Sequence, residues 1–239
     1  MTLALYRDEP YMRDARGRVV AHTSEGGVVL NASLFYPQGG GQPGDAGILH
    51  WDHGQLPIAT TVKGAGDQIV LVPAEPAPLP PVGTELRQAL DWDVRYRLMR
   101  VHTMLHLLSV VIPLPVTGGA ISATKGRLDF LMPDPIEDRE GVEAALQALI
   151  DRDLEVTESW ITEAELEAQP ELVKTMSVQP PRGAGEVRLV RIGTEEEQID
   201  LQPCGGTHVA RTGEIGRIAM GKVEKKGREN RRVNILLAD

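Results

Sequence analysis

The 239-residue sequence has a single cysteine. No intrachain disulfide can form, which excludes a small secreted fold stapled by disulfides. A long apolar run is also missing. Residues 101–124 carry no charge, yet they include His102, His106, Pro113, Pro115, Gly118 and Gly119. A membrane-spanning helix needs about 20 mostly apolar residues, and the longest apolar stretch here, 107–112, is broken by Ser109. Residues 1–14 lack the basic start, apolar stretch and small-residue cleavage site of a signal peptide. The expectation is a cytosolic protein with no membrane partner. There is no internal repeat. Positive charge is in short supply too: the formal net charge is -9, which speaks against a wholesale basic binder of nucleic acid. What is present is ordinary for a folded chain: 41% hydrophobic and 25% charged residues, enough to bury a core.

Residues 17–72 show short β-like segments at turn-rich spacing. Segments 18–22 and 28–32 flank Ser24-Glu25-Gly26-Gly27, a hairpin signal, and segments 48–51, 58–62 and 68–72 follow. Their pattern predicts a small β-barrel or sandwich. Residues 73–81 hold five prolines and read as an extended connector, followed by a strand-like segment at 84–91. The period then changes. Asp93 is positioned to cap a helix reaching about residue 111, with Val94, Leu98, Val101, Leu105 and Leu108 at helical spacing. A second amphipathic helix is expected over 136–149, weakened by Gly141, and a strand over 154–161. Thr162 and Glu165 form a capping box for a short third helix. A Gly/Pro loop at 179–185 precedes strands at 187–192 and 198–201, and a last hairpin pairs 215–223 with 232–237. The fold class is therefore α+β: a β-barrel domain over 1–90, then an α+β domain over 91–239.

Three features carry chemistry. His102 and His106 lie four apart on the first long helix, which stacks both imidazoles on one face. Cys204 and His208 lie four apart in a glycine-rich loop after a strand. Together they make a His, His, Cys, His set that suits tetrahedral Zn2+. The helical pair is not a zinc-peptidase motif, since Thr103 stands where that motif requires glutamate. The third feature is the glycine run at 35–47. Gly39, Gly41 and Gly44 formally match a dinucleotide fingerprint, but Pro43, Gly47 and a strand follow instead of a helix. Such a loop either presents amides to a ligand or simply connects barrel strands.

Taken together, residues 33–47 (SLFYPQGGGQPGDAG), 102–108 (HTMLHLL), 127–130 (RLDF) and 204–209 (CGGTHV) resemble the alanyl-tRNA editing family. That family comprises the editing domain of alanyl-tRNA synthetase and the freestanding AlaX proteins, here of the medium-length class. The resemblance implies a zinc-dependent hydrolase removing serine, and more weakly glycine, from mischarged tRNA(Ala). Chemistry agrees that such an enzyme is needed. An apolar alanine pocket rejects an added hydroxyl only about a hundredfold. A second sieve cannot exclude the larger amino acid by size, so it must want the hydroxyl. One buried polar group left unpaired by alanine costs about 1–3 kcal/mol.

The resemblance assigns that contact to Ser33, where the family usually carries threonine. It places Gln42 beside the terminal adenosine or ester carbonyl, and Asp45 as the residue orienting the loop of Gly39, Gly40 and Gly41. The nucleophile is expected to be water polarised by zinc. Lys125 and Arg127 follow a glycine-rich turn and suit acceptor-end phosphates. Lys225 and Lys226 belong to a terminal cluster of seven basic residues against Glu224 and Glu229, while residues 137–171 hold twelve acidic and two basic residues. The charge is polarised, and the basic hairpin suits RNA. A monomer without a stable protein partner is expected. Two other readings remain open: a non-catalytic tRNA- or ribosome-binding module with structural zinc, and a threonyl-type editing domain.

Overall fold

The computed structural model describes residues 2–175 and 185–238. Of the loop expected at 179–185, all but Gly185 lies outside the described residues. The chain divides into two compact units, residues 1–96 and 97–239.

The first unit contains β1 (Leu3–Ala4), α1 (Leu5–Asp8), β2 (Asp14–His22), β3 (Val28–Leu30), β4 (Ala32–Ser33), β5 (Gly47–Trp51), β6 (Gly54–Lys63), β7 (Ile69–Pro73) and β8 (Glu85–Leu90). Six of these strands close a barrel in the order β2-β3-β7-β6-β5-β8. Closure leaves no edge to aggregate. The strands supply an apolar inner face: Val19, Val28, Leu30, Leu49, Leu56, Ile58 and Leu71 are buried in one cluster with Phe35. Strand β6 changes phase along its length. Its pairing with β7 shifts between Ile58 and Thr60, so that Leu56 and Ile58 are buried in the first half and Thr61 in the second. One extra residue in the strand re-aims every side chain beyond it. Residues 74–84, the proline run and its end, form no strand or helix.

Helix α2 (Trp92–Val111) follows. Its cap is Asp91 rather than Asp93: the Asp91 carboxylate accepts from the Val94 N–H at 3.3 Å. Val94 is exposed, and Arg95 takes the buried position beside it. Then come β9 (Val116–Ile121), β10 (Lys125–Leu131), α3 (Arg139–Asp151), β11 (Val156–Thr162), α4 (Glu163–Glu167), β12 (Glu186–Gly193), β13 (Gln198–Pro203), β14 (Ile218–Lys225) and β15 (Asn230–Leu237). They form two antiparallel sheets, β14-β15-β10-β9 and β11-β12-β13. Strand β10 meets α2 at Gly126, where a Cβ would lie 2.8 Å from Val101 Cγ1. Only glycine lets strand and helix approach so closely.

One more expectation needs correction. Gly141 does not weaken its helix. It sits in the first turn, where its N–H is bonded to the Asp138 cap at 2.7 Å and a Cβ would strike the same carboxylate. The β9–β10 hairpin has no clear strand signal in the sequence, because Gly118 and Gly119 dilute it. The Thr162–Glu165 capping box is present as expected. No helix among the described residues is long and apolar enough to cross a membrane.

Candidate metal centre

Helix α2 turns His102 and His106 to one side, and the loop after β13 brings Cys204 and His208 to meet them. One ligand atom from each of the four residues lies within 4.8 Å of the others. Cys204 Sγ is 3.4 Å from His102 Nε2 and 3.3 Å from His208 Nε2. A tetrahedral ion at ordinary zinc–sulfur and zinc–nitrogen lengths would set these separations at about 3.6 Å. All three imidazoles are buried.

The outer nitrogens of His208 and His106 are tied down. Thr103 Oγ1 donates its one proton to Met99 O at 3.1 Å and accepts from Val209 N–H at 3.2 Å. It can therefore only accept from His208 Nδ1, 3.1 Å away. That protonates Nδ1 and leaves the Nε2 lone pair facing the cluster. His106 Nδ1 lies 3.0 Å from the Asp200 carboxylate, which fixes the same tautomer. Asp200 is buried and also accepts from Lys174 Nζ and from Gln202 Nε2, the latter at 2.7 Å. Behind the cysteine loop, the Arg188 guanidinium donates to Cys204 O at 2.8 Å and Gly206 O at 2.9 Å, while Glu158 pairs with its other side.

These contacts set the charges. Burial pushes the Cys204 thiol up, but His102 and His208 override it and hold it well below its ordinary value. A thiolate is the form a metal takes. Burial, with His102 adding to it, pushes His208 down to about 3, so its imidazole is neutral. Burial also depresses His106, but Asp200 and Cys204 reverse this and hold it up at about 9, so the Nε2 proton leaves when a metal takes that position, while Nδ1–H stays on Asp200. Burial raises Asp200, yet His106 and Lys174 bring it to about 2. A softened thiolate, oriented imidazoles and a carboxylate behind one of them fit a divalent metal of the zinc kind.

The sequence pointed to the four donors. It did not point to Asp200, Lys174, Gln202 or Arg188, and Thr103 drew notice only as a missing glutamate. A signal for part of this exists: Asp200, Gln202 and Cys204 alternate along one strand and its exit, and the first two are buried polar residues.

The other expected site residues belong mostly to the barrel unit. Gly39 and Gln42 exchange both backbone bonds, at 3.1 and 2.9 Å, around Gly40 and Gly41 with φ of 56° and 83°. Two positive φ values inside a two-residue loop are those of a type I′ hairpin turn, which glycine adopts without strain. Gly40 and Gly41 are exposed, and Gln42 is buried. Ser33 is also buried; its Oγ accepts from Phe35 N–H at 3.2 Å, and its backbone pairs with Ala4. Asp45 accepts from Tyr36 N–H at 2.5 Å and forms a buried pair with Arg95. Arg95 in turn bonds Leu34 O at 2.7 Å, so the Asp45–Arg95 pair holds both ends of the segment between Leu34 and Asp45.

In the second unit, Lys125 is exposed at a hairpin turn, while Arg127 bonds Asp129 at 2.8 Å. Arg232 bonds the same carboxylate at 2.8 and 2.9 Å. Lys225 and Lys226 are exposed, with Lys226 Nζ 3.9 Å from Glu224.

Residues 187–234 match the profile described as the threonyl and alanyl tRNA synthetase second additional domain, and residues 11–94 match that of class II (A) tRNA synthetases. An alanine–tRNA ligase of Pyrobaculum arsenaticum is 34% identical over 94% of this chain, which spans only 25% of the ligase. Fold, ligand set and these matches define the class: a relative of one segment of the alanine–tRNA ligases. Two shorter proteins correspond to this chain from end to end. The alanyl-tRNA editing protein AlaX-M of Methanosarcina acetivorans is 33% identical over 100% of both chains, and that of Saccharolobus solfataricus is 33% identical over 98% of both. The chain belongs to the AlaX-M family of alanyl-tRNA editing proteins.

Proposed function

We propose that this protein hydrolyses the ester of tRNA(Ala) mischarged with serine, and more weakly with glycine, acting in trans on the charged tRNA. The observation that carries the reading is end-to-end similarity to proteins named for alanyl-tRNA editing, combined with a ligand set of three buried imidazoles and one cysteine in which His106 and His208 are pre-oriented. Zn2+ is the proposed metal, held by His102, His106, Cys204 and His208. When bound, it supplies Lewis acidity toward water or the ester carbonyl. The protein's own residues do the rest. Thr103 and Asp200 hold His208 and His106 in their metal-binding tautomers. The Ser33 hydroxyl is assigned to the serine side chain, Gln42 to the ester or terminal adenosine, and Asp45 to holding the loop. The tRNA contacts are assigned to Gly39, Gly40 and Gly41, to Lys125 and Arg127, and to Lys225 and Lys226. On this reading residues 1–90 and 91–239 are two working domains of a cytosolic monomer.

Incubation with Ser-, Gly- and Ala-tRNA(Ala) and with Ser-tRNA(Thr), with and without chelator, tests the reading. Serine release from tRNA(Ala), lost on chelation and in Cys204→Ala, is expected. Tight tRNA binding without release would instead make the protein a binding module with structural zinc. Release from Ser-tRNA(Thr) alone would make it a threonyl-type domain. Ser33→Ala is expected to reduce serine release more than tRNA binding.

A further inference from the structure

Lys63 stands at the end of β6, at the side of the glycine turn. A Cβ at Gly39 would lie 3.5 Å from Lys63 Nζ, so the ammonium rests against the turn. Its position is not left to chance. Lys63 lies two residues beyond Thr61 on β6, so strand alternation puts the two on one face, and the bulge between Ile58 and Thr60 sets which face that is. Thr61 is buried and holds the loop at two points: its hydroxyl donates to Asp45 O at 2.9 Å, and its carbonyl accepts from Gln38 N–H at 2.8 Å. Tyr36 braces the turn from within by donating to Gly39 O at 2.8 Å. Among the described residues the Lys63 side chain has no ion-pair or hydrogen-bond partner, and the Gly40 and Gly41 N–H groups donate to no protein acceptor. All three residues are exposed. A cation and two unused amides held on one rigid turn form a cradle for an anion.

We infer that Lys63, with the Gly40 and Gly41 amides, binds a phosphate group, and that Lys63 is a positioning residue for the RNA substrate. The assignment to RNA rests on the proposed function; the anion site itself does not. A lysine serves phosphate as a point charge, and one neutralised phosphate contributes about 0.7–0.9 to the slope of log affinity against log salt.

The test measures binding of uncharged tRNA(Ala) at several KCl concentrations for the wild type, Lys63→Gln and Lys63→Arg. In parallel, the Gly40 and Gly41 amide resonances are followed as tRNA or inorganic phosphate is added. For Lys63→Gln the expected result is a slope shallower by about 0.7–0.9. Binding should weaken about two- to fivefold, the range for one exposed charge pair. Lys63→Arg should restore the slope, which a merely structural role would not do. Both glycine amides should shift with either ligand in the wild type. An unchanged slope with amides that shift with phosphate would uphold the cradle and assign it to a free phosphate. An unchanged slope with unmoved amides would overturn the inference, even in a protein that releases serine. Conversely, a changed slope in a protein that releases no serine would leave the cradle standing and remove the editing reading.

Discussion

Replacing Asp200 by asparagine isolates the carboxylate behind the ligand set. The change keeps the shape and removes the charge. Three donors converge on Asp200: His106 Nδ1 at 3.0 Å and Gln202 Nε2 at 2.7 Å on one oxygen, and Lys174 Nζ on the other. An amide offers one oxygen and one NH2, so one side must face a donor. The lesser evil turns the NH2 toward Lys174, whose side chain is 29% exposed and can swing to water. His106 then keeps a partner, but a neutral acceptor holds its tautomer less firmly than an ionised one. Loss of such an outer partner lowers metal affinity about 10- to 100-fold, or about 1.4–2.7 kcal/mol. The assay is zinc competition against a chromophoric chelator at fixed pH, with urea unfolding in chelator as a control. In that control, loss of a charged hydrogen bond should cost ~1.5–3 kcal/mol. A folded Asp200→Asn protein that binds zinc within threefold of the wild type would refute the orienting role.

Asp45→Asn leaves Arg95 charged and buried without its partner, so the protein should lose about 3–5 kcal/mol in chemical denaturation. Arg95→Met should cost a similar amount, and the double variant less than the sum; undiminished stability with lost deacylation would move Asp45 into the chemistry. Asp129 governs an acid transition. Burial raises its carboxyl, but Arg232 and Arg127 override this and hold it below its ordinary value. The stabilisation is therefore full above the unfolded carboxyl value of about pH 3.9 and is lost as pH falls through the lower folded value. Urea midpoints for Asp129→Asn should lie below the wild type at neutral pH and converge with it in acid.

Much of the architecture could be read directly. Short β-like segments between turn residues mark the barrel strands, and period 3.6 marks α2 as the imprint of one buried face. The metal donors were legible for a related reason: spacing of four on a helix or in a tight loop is local, and one sequence shows it. What escaped notice depends on long-range contacts. Asp200 gains its meaning only when β13 lies along α2, and nothing within a few residues of it says so. Arg95 looks like a solvated helix charge until Asp45 is found fifty residues earlier. The β9–β10 hairpin is hidden in the sequence because Gly118 and Gly119 have little strand propensity. Gly141 misled for the opposite reason, since a poor interior residue is a good first-turn residue beside an aspartate cap.

Thr103 has one more consequence. Its single oxygen joins the helix carbonyl of Met99, the ring of His208 and the backbone of Val209. The donors it registers come from positions about a hundred residues apart, Cys204 and His102 being separated by 102. Contacts of that span form late, because a long loop must close before they return any energy. On the proposed metal reading, high-affinity capture of the ion therefore has to wait until that long-range contact has closed. In a refolding experiment with a zinc indicator, ion uptake should lag behind helix formation and coincide with recovery of native packing, which makes the metal a timer of completed topology.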